Sequence, residues 1–176
     1  MDLKERTVKV NYVYQGKIVN LRCDDAALPD GRPCKREMVE HPGGASVLCV
    51  YDGKIALVRQ FRYAYQEELL EIPAGKLEKG EDPMLAAKRE LEEETGLVAG
   101  ELKPLFTLYP TPGYTNEKIY IYEASGVTAG KQHLDEGEFL NVVFLPVEEV
   151  ARMIEKGEIR DAKTIVAVQS YLLKNK

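Results

Sequence analysis

Hydrophobic and polar residues alternate along much of this chain with the two-residue period of β-strands. Before residue 45 the alternating runs are separated by Gly16 and by Leu28-Pro29-Asp30-Gly31, residues that favour turns. After it, two apolar runs are joined through Asp52-Gly53, a dipeptide that favours a tight hairpin. The pattern predicts strands at residues 7–14, 17–23, 35–40, 45–50, 55–59, 68–72, 105–109, 118–123 and 139–145.

Three other segments carry helix signals. Asp82 can cap free N–H groups and Pro83 suits the first helical position. Gly96 is a natural stop, so a helix is predicted between Pro83 and Gly96. Two more helices are predicted at residues 147–156 and 161–174, the last with one apolar stripe.

This order of elements, with strands first and helices last, predicts an α/β fold around a mixed sheet. The sequence His41-Pro42-Gly43-Gly44 interrupts the pattern between two strands. We therefore expect a small N-terminal antiparallel β appendage at residues 1–42 and a main domain at residues 43–176. The appendage is too small to build a core of its own.

Composition narrows the class of protein. The chain has 176 residues, 44% of them hydrophobic, which is enough for one core with a small appendage. Its net charge of −5 disfavours nucleic acid as a partner. The three cysteines have no paired metal-ligand spacing and are expected to be reduced thiols. No apolar signal region or membrane-length apolar run occurs, so we expect a soluble cytoplasmic protein without a membrane partner.

The helix after Pro83 concentrates negative charge on one face. Glu90 and Glu94 are one turn apart, and Glu93 lies on the same side. Like charges at this spacing weaken a helix by a few tenths of a kcal/mol each, which favours a compensating cation. Carboxylate oxygens suit Mg²⁺ or Mn²⁺. The alternative is a solvated acidic helix face with Lys and Arg as partners.

The sequence around these carboxylates decides between the two interpretations. Residues 75–97, GKLEKGEDPMLAAKRELEEETGL, fit the pattern G-x5-E-x7-R-E-U-x-E-E-x-G-U, in which U is apolar. A chance match in a chain of this length has a probability on the order of 10⁻⁷ to 10⁻⁸. The segment resembles the Nudix box, the signature of Mg²⁺-dependent hydrolases that cut nucleoside diphosphates linked to another group. The resemblance implies a Nudix-type α/β/α sandwich around a mixed sheet.

Features outside the box resemble the ADP-ribose pyrophosphatases of this family. They are residues 58–62 (VRQFR), residues 69–78 (LLEIPAGKLE) and Pro112, sixteen residues after Gly96 in a Thr-Pro-Gly context. The resemblance implies hydrolysis of ADP-ribose to AMP and ribose 5-phosphate. A different sugar nucleotide, such as GDP-mannose or ADP-glucose, is the alternative substrate. A non-catalytic ADP-ribose sensor is a remote alternative, because the box carboxylates are intact.

The same resemblance implies roles for individual residues. Arg89 and Glu93, which are four residues apart on the predicted helix, can pair with each other. Glu81 is expected to belong to the scaffold or to the groups that surround the metal ligands, and not to be a main ligand. The acidic loop at residues 135–138 is expected to supply Glu136 as the catalytic base, although Glu93 or exchanged roles with the metal ligand Glu138 remain open. The implied Mg²⁺ ligands, with Mn²⁺ as a possible substitute, are Glu90, Glu94, Glu138 and the carbonyl of Ala74.

Substrate contacts are implied in both halves of the chain. The guanidinium groups suit phosphate or adenine, and the loop after Pro110 suits the terminal ribose. Surface ion pairs and an ordinary strand-edge carboxylate are the alternative interpretations. The residues implied are Ile18, Arg36, Arg62, Thr111 and Glu117. The resemblance also implies a homodimer in which the N-terminal β segments exchange.

Overall fold

The computed structural model describes residues 2–175, which form two compact units. One unit contains the described residues up to Gly43 together with Tyr109–Lys118, and the other contains Gly44–Leu108 and the described residues from Ile119 onward. The first break is next to the boundary expected after residue 42. The segment Tyr109–Lys118 was expected to belong to the main domain, and it groups with the N-terminal strands instead.

The first unit contains a four-stranded antiparallel sheet. The strand predicted at residues 7–14 is divided into two, because Asn11 leaves the strand and its side chain binds the strand Asn20–Ala27. The Asn11 amide donates to the carbonyl of Cys23 at 3.3 Å and to a carboxylate oxygen of Asp25 at 3.0 Å. The strands are β1 (Arg6–Lys9), β2 (Tyr12–Gln15), β3 (Asn20–Ala27) and β4 (Pro33–Glu40), with β3 pairing to the other three.

The segment Tyr109–Lys118 is held against β4 by backbone hydrogen bonds. The N–H of Val39 donates to the carbonyl of Tyr114 at 2.7 Å, and the N–H of Asn116 donates to the carbonyl of Val39 at 3.2 Å. The N–H of His41 donates to the side-chain oxygen of Asn116 at 2.9 Å. These bonds explain why the segment groups with strands that precede it by about seventy residues in the sequence.

The second unit is built around a mixed sheet. Its strands are β5 (Gly44–Tyr51), β6 (Lys54–Arg62), β7 (Glu67–Glu71), β8 (Ala74–Lys76), β9 (Leu97–Val98), β10 (Glu101–Leu108), β11 (Ile119–Ser125), β12 (Thr128–Ala129) and β13 (Leu140–Pro146). The sheet order is β10-β11-β5-β6-β13, with β7 paired to β6 and β8 paired to β5, and a short β12–β9 pair is separate. Among the described residues of this sheet, only the β11–β5 pairing is parallel. The helices are α1 (Pro83–Thr95), α2 (Val147–Glu155) and α3 (Ala162–Lys174).

Strand β5 separates two halves of the core. Its alternate residues Ala45, Val47 and Cys49 pack in the cluster that contains the apolar side chains of α1. Leu48, which points to the opposite face, packs in the cluster that contains α2 and α3. The predicted α/β/α sandwich around a mixed sheet is therefore confirmed.

Three local predictions are confirmed by backbone geometry and hydrogen bonds. Asp52 and Gly53 have φ angles of 50° and 72° and join β5 to β6 in a tight hairpin. At the start of α1, the Asp82 carboxylate accepts hydrogen bonds from the N–H groups of Met84 and Leu85. Gly96 ends that helix in the left-handed conformation, with φ 72°.

The membrane prediction can be compared with the helices. Among residues 2–175, every helix is too short or too polar to cross a bilayer.

Candidate active site

Glu94, near the end of α1, is fixed against the backbone that enters β8. Its carboxylate accepts a hydrogen bond from the N–H of Ala74 at 2.8 Å, and the residue is only 3% exposed. A buried carboxylate with one hydrogen-bond donor retains unused acceptor capacity. The predicted ligands Ala74 and Glu94 therefore lie next to each other, although the sequence separates them by twenty residues.

Glu90 lies one turn earlier on α1 and packs against Gly75. A Cβ atom added to Gly75 would come within 1.9 Å of the Glu90 Oε1 atom. A side chain at position 75 is therefore incompatible with this position of the Glu90 carboxylate. The reason for a glycine here is close approach, and not an unusual backbone conformation.

Arg89 holds three carboxylates around the base of this cluster. Its guanidinium contacts Glu81 at 3.1 Å, Glu90 at 2.8 Å and Glu93 at 2.7 Å. The predicted pairing of Arg89 with Glu93 is confirmed. Glu81 also accepts a hydrogen bond from the N–H of Glu78 at 2.9 Å, so it ties the start of the box to the helix.

The environment of Glu90 and Glu94 favours their protonated forms. Burial, opposed by Arg89 and assisted by Glu93 and Glu138, raises the pKa of Glu90 to about 7. Burial, opposed by the Ala74 N–H and assisted by Glu90 and Glu138, raises the pKa of Glu94 to about 8. A bound cation would stabilise the ionised carboxylates that the protein environment disfavours.

The donor set fits a hard divalent cation. Within residues 2–175, no three Asp, Glu, His or Cys side chains are already grouped closely enough to hold an ion by themselves. Mg²⁺ commonly uses one or two carboxylates together with waters and substrate phosphates, which needs no such group. Binding of such a cation by Glu90, Glu94, Glu138 and the carbonyl of Ala74 remains a prediction.

The acidic loop follows a segment that is attached to the end of α1. The Gln132 side chain donates to the carbonyl of Glu94 at 2.6 Å, and the N–H of His133 donates to the carbonyl of Glu93 at 3.1 Å. The charge of Glu138 raises the pKa values of both Glu90 and Glu94. Glu136 is exposed on the same loop, and its role as base remains a prediction.

Arg62 is bound by the carboxylate of Glu71, which the sequence pattern did not indicate as a functional residue. Its Nε and Nη2 atoms each donate to Glu71 at 2.6 Å in a bidentate pair. Glu71 is 1% exposed, and Lys163 of α3 donates to the same carboxylate. Burial would raise the pKa of Glu71, but Arg62 and Lys163 outweigh it and hold the pKa below its usual value. A charged residue inside the apolar run LLEIPAG was the available signal.

The other four predicted substrate contacts lie in the first unit. Arg36 forms a surface ion pair with Glu5, and Ile18 is exposed. The carbonyl of Thr111 accepts from the N–H groups of Tyr114 and Thr115, which closes the loop. Glu117 lies 3.5 Å from the ring of His41. Contact of Ile18, Arg36, Thr111 and Glu117 with substrate remains a prediction, as it does for Arg62.

The fold and the cluster on α1 define a class of protein. An α/β/α sandwich that buries two helix carboxylates one turn apart, one of them bound by the N–H of Ala74, can hold a divalent cation for phosphate chemistry. Three comparisons make the class more specific.

The NUDIX domain pattern matches residues 40–168 of this chain. The chain is 43% identical over 175 residues to the ADP-ribose pyrophosphatase of Bacillus subtilis (strain 168), with 98% of this chain and 95% of that protein covered. It is 41% identical over 169 residues to the methanol dehydrogenase activator of Bacillus methanolicus, with 94% and 91% covered. The chain therefore belongs to the Nudix family, whose hydrolases generally need a divalent metal ion.

A solved structure agrees with this fold. The crystal structure of an ADP compounds hydrolase superposes with a TM-score of 0.84 and covers 99% of this chain and 95% of its own. The two chains are 23% identical, so the likeness concerns the fold alone.

The raised pKa values of Glu90 and Glu94 predict how pH affects the stability of the metal-free protein. We expect the protein in EDTA to lose stability as the pH rises from the ordinary glutamate value of 4.5 toward about 8. In that window the folded state retains protons on Glu90 and Glu94 that the unfolded state has released, so ionisation favours unfolding. A divalent cation should restore more stability at the upper end of the window than at the lower end. Urea unfolding at a series of pH values, with EDTA or Mg²⁺, measures both effects.

Glu94→Gln is the matched control for this pH dependence, because it removes the group with the larger shift. The slope in EDTA should become shallower in that variant. A wild-type protein whose stability in EDTA increases throughout the same window would contradict the assignment.

Gly75→Ala is expected to weaken cation binding with little loss of stability. The new methyl group would displace the Glu90 carboxylate, which is the flexible end of a side chain, and not the backbone. We expect Mn²⁺ affinity to fall about tenfold or more, as for other changes that disturb ligand orientation. Electron paramagnetic resonance of free Mn²⁺ measures it. Gly113→Ala is the control, because a Cβ there meets no atom within 4 Å. Equal Mn²⁺ affinity in both variants would contradict the close-approach argument.

Proposed function

We propose that this chain hydrolyses the diphosphate of ADP-ribose, with Mg²⁺, to AMP and ribose 5-phosphate. The observation that carries the proposal is 43% identity to a B. subtilis ADP-ribose pyrophosphatase over 98% of the chain. The intact carboxylates Glu90 and Glu94, buried beside Ala74, support catalysis over simple binding. Mn²⁺ is expected to substitute for Mg²⁺ because both prefer carboxylate oxygens.

Different residues of the second unit are assigned to metal binding, proton transfer and diphosphate binding. Glu90, Glu94, Glu138 and the carbonyl of Ala74 would hold Mg²⁺, which when bound neutralises phosphate charge and lowers the pKa of water. Glu136 accepts the proton of the attacking water. The water oxygen bonds to one phosphorus, the bridging P–O bond breaks, and the leaving phosphate keeps the bridging oxygen. Arg62, held in its charged form by Glu71, offers hydrogen bonds to the diphosphate.

Product analysis tests the reaction. Purified protein is incubated with Mg²⁺ and, separately, ADP-ribose, GDP-mannose, ADP-glucose or NADH, and the products are separated. Equal amounts of AMP and ribose 5-phosphate, abolished by EDTA, would support the proposal. Preferential cleavage of another sugar nucleotide would retain the chemistry and replace the substrate. Tight ADP-ribose binding without cleavage of any compound would indicate a sensor.

The two acidic-loop residues are separated by a pair of matched variants. Glu136→Gln should abolish most turnover and leave Mn²⁺ affinity unchanged, because this residue is assigned to proton transfer. Glu138→Gln should weaken Mn²⁺ binding, because the negative charge of Glu138 acts on both Glu90 and Glu94. Wild-type turnover in Glu136→Gln would remove Glu136 from the mechanism, and the opposite pattern would exchange the two roles.

A homodimer with exchange of the N-terminal strands is also proposed. Large apolar side chains on the first unit are exposed in the single chain, among them Val8, Tyr12, Val13 and Tyr14. Exposed apolar groups of this density are typical of an interface, and a second copy of the chain would cover them. Light scattering during gel filtration should give a dimer mass, and Val13→Lys should shift it to a monomer. A monomeric wild-type protein would disprove the proposal. The cytoplasmic location remains a prediction from the sequence.

A second candidate function is activation of a methanol dehydrogenase. It is favoured by 41% identity to the B. methanolicus activator over 94% of this chain. Adding the purified protein to a methanol dehydrogenase assay should raise the rate if this function applies. A catalytically impaired variant, Glu94→Gln, would then show whether activation needs hydrolysis.

A further inference from the structure

A group of four charges, of which Glu71 and Lys163 are buried and Arg62 is partly exposed, connects α3 with the strands next to the candidate active site. Arg62 and Lys163 carry the positive charges, and Glu71 and Asp161 carry the negative charges, so the group is neutral. Arg62 binds Glu71 at 2.6 Å, and Lys163 binds Glu71 at 2.5 Å and Asp161 at 2.9 Å. Glu71 and Lys163 are 1% and 6% exposed.

Stability alone does not account for such a group. The desolvation of buried ions often cancels their attraction, so apolar residues of similar volume would be as stable or more stable. Apolar residues would, however, leave Arg62 without an oriented partner. Two of its nitrogens are taken by Glu71, which directs the remaining Nη1 group away from that carboxylate.

Thr164 makes a second connection from the same helical turn. Its Oγ1 atom accepts a hydrogen bond from the N–H of Ile72 at 2.8 Å and donates to Asp161. Thr164 is fully buried, and Asp161 also caps α3 through the N–H of Thr164. Ile72 is two residues before Ala74, and the intervening Pro73 has a restricted backbone.

The segment from Glu71 to Ala74 is consequently held at both ends. Its first two residues are bound by α3, and the N–H of Ala74 is bound by the Glu94 carboxylate. A shift at Ile72 would be transmitted through Pro73 to the hydrogen bond that orients Glu94. The first turn of α3 is therefore connected to two functional groups. It reaches Glu94 through the segment from Ile72 to Ala74, and it reaches Arg62 through Glu71.

We propose that the first turn of α3 is a positioning element for the active site. Thr164 sets the position of Ala74 and Glu94 through Ile72, and Lys163 sets the position of Arg62 through Glu71. This inference rests on the proposed function, in which a divalent cation binds at Glu94 and the diphosphate binds Arg62. Neither Lys163 nor Thr164 touches the reacting atoms.

Two binding measurements on the folded protein test the two connections separately. Mn²⁺ affinity without substrate is measured by electron paramagnetic resonance, and ADP-ribose affinity in EDTA is measured by calorimetry. Thr164→Val should weaken Mn²⁺ binding about tenfold and leave ADP-ribose binding within about twofold of wild type. Lys163→Met should weaken ADP-ribose binding about tenfold. Mn²⁺ binding should change much less, through loss of the Lys163 charge that acts on Glu94.

Conservative and distant variants complete the design. Thr164→Ser and Lys163→Arg retain the hydroxyl and the charge, so both affinities should return to near wild type. Thr107→Val and Lys174→Met make the same substitutions at exposed or half-exposed positions and should change neither affinity. If Thr164→Val or Lys163→Met fails to fold, Thr164→Ala and Lys163→Gln are used in their place.

The outcomes separate positioning from a general structural role. Lower melting temperatures with both affinities unchanged would overturn the proposal, as would equal weakening of both affinities in both variants. Failure of the wild type to bind or cleave ADP-ribose would reject the proposed function, and the Thr164 comparison with Mn²⁺ would still test the positioning of Glu94.

Discussion

Replacing Glu94 with Gln is expected to lower turnover of the hydrolysed substrate about a thousandfold, since a bound metal supplies several kcal/mol of transition-state stabilisation and each tenfold change in rate corresponds to about 1.4 kcal/mol. The variant keeps the size of the side chain and still accepts the Ala74 N–H, but it loses the negative charge. Initial rates at saturating substrate and a range of Mg²⁺ concentrations measure the effect. High Mg²⁺ should recover only a small part of the rate.

Glu92→Gln is the matched control on the same helix. Glu92 is outside the buried cluster. Its backbone carbonyl, which accepts a hydrogen bond from the N–H of Gly96, is unchanged by the substitution. Its turnover should stay within about twofold of wild type, as for a surface charge away from the reaction. Turnover of Glu94→Gln within tenfold of wild type would remove Glu94 from the metal site.

Glu71→Leu is expected to reduce the free energy of unfolding by about 3–5 kcal/mol, the usual cost of removing one partner from a buried ion pair. The substitution leaves the buried Lys163 ammonium with only Asp161 as a carboxylate partner. Urea unfolding at neutral pH, with the slope checked for two-state behaviour, measures the change.

Two comparisons make this result specific. Glu123→Gln breaks an exposed pair with Lys174 and should cost less than about 1 kcal/mol. Adding Lys163→Met to Glu71→Leu should recover part of the lost stability, because it removes the unpaired charge. If the double variant were less stable than Glu71→Leu by the full cost of a separate core substitution, Glu71 and Lys163 would not be energetically coupled.

Local sequence signals predicted most elements of the main unit. The cap at Asp82, the stop at Gly96 and the hairpin at Asp52-Gly53 each depend on residues within a few positions of one another. The pairing of Arg89 with Glu93 was predictable for the same reason, because helical geometry alone places them together. The three-residue strand β8 was missed because three residues show no period.

Features that depend on distant residues were not predictable. The break at Asn11 depends on the position of Asp25 on the neighbouring strand. The grouping of Tyr109–Lys118 with the first unit depends on backbone bonds to β4, which have no signature in side-chain pattern. Gly75 was identified as part of the box, but the contact with Glu90 that requires it exists only in three dimensions.

The hydrogen bonds from Lys163 to Glu71 and from Ile72 to Thr164 both join residues 92 positions apart. Contacts of such long range require closure of a large loop, which is costly in entropy and slow during folding. Helix α1 and its carboxylates are local and can form earlier. A partly folded chain would therefore contain the acidic helix before it contains an oriented metal site. A cation would then bind only the fully folded state, so the rate at which cation binding appears would measure the last stage of refolding.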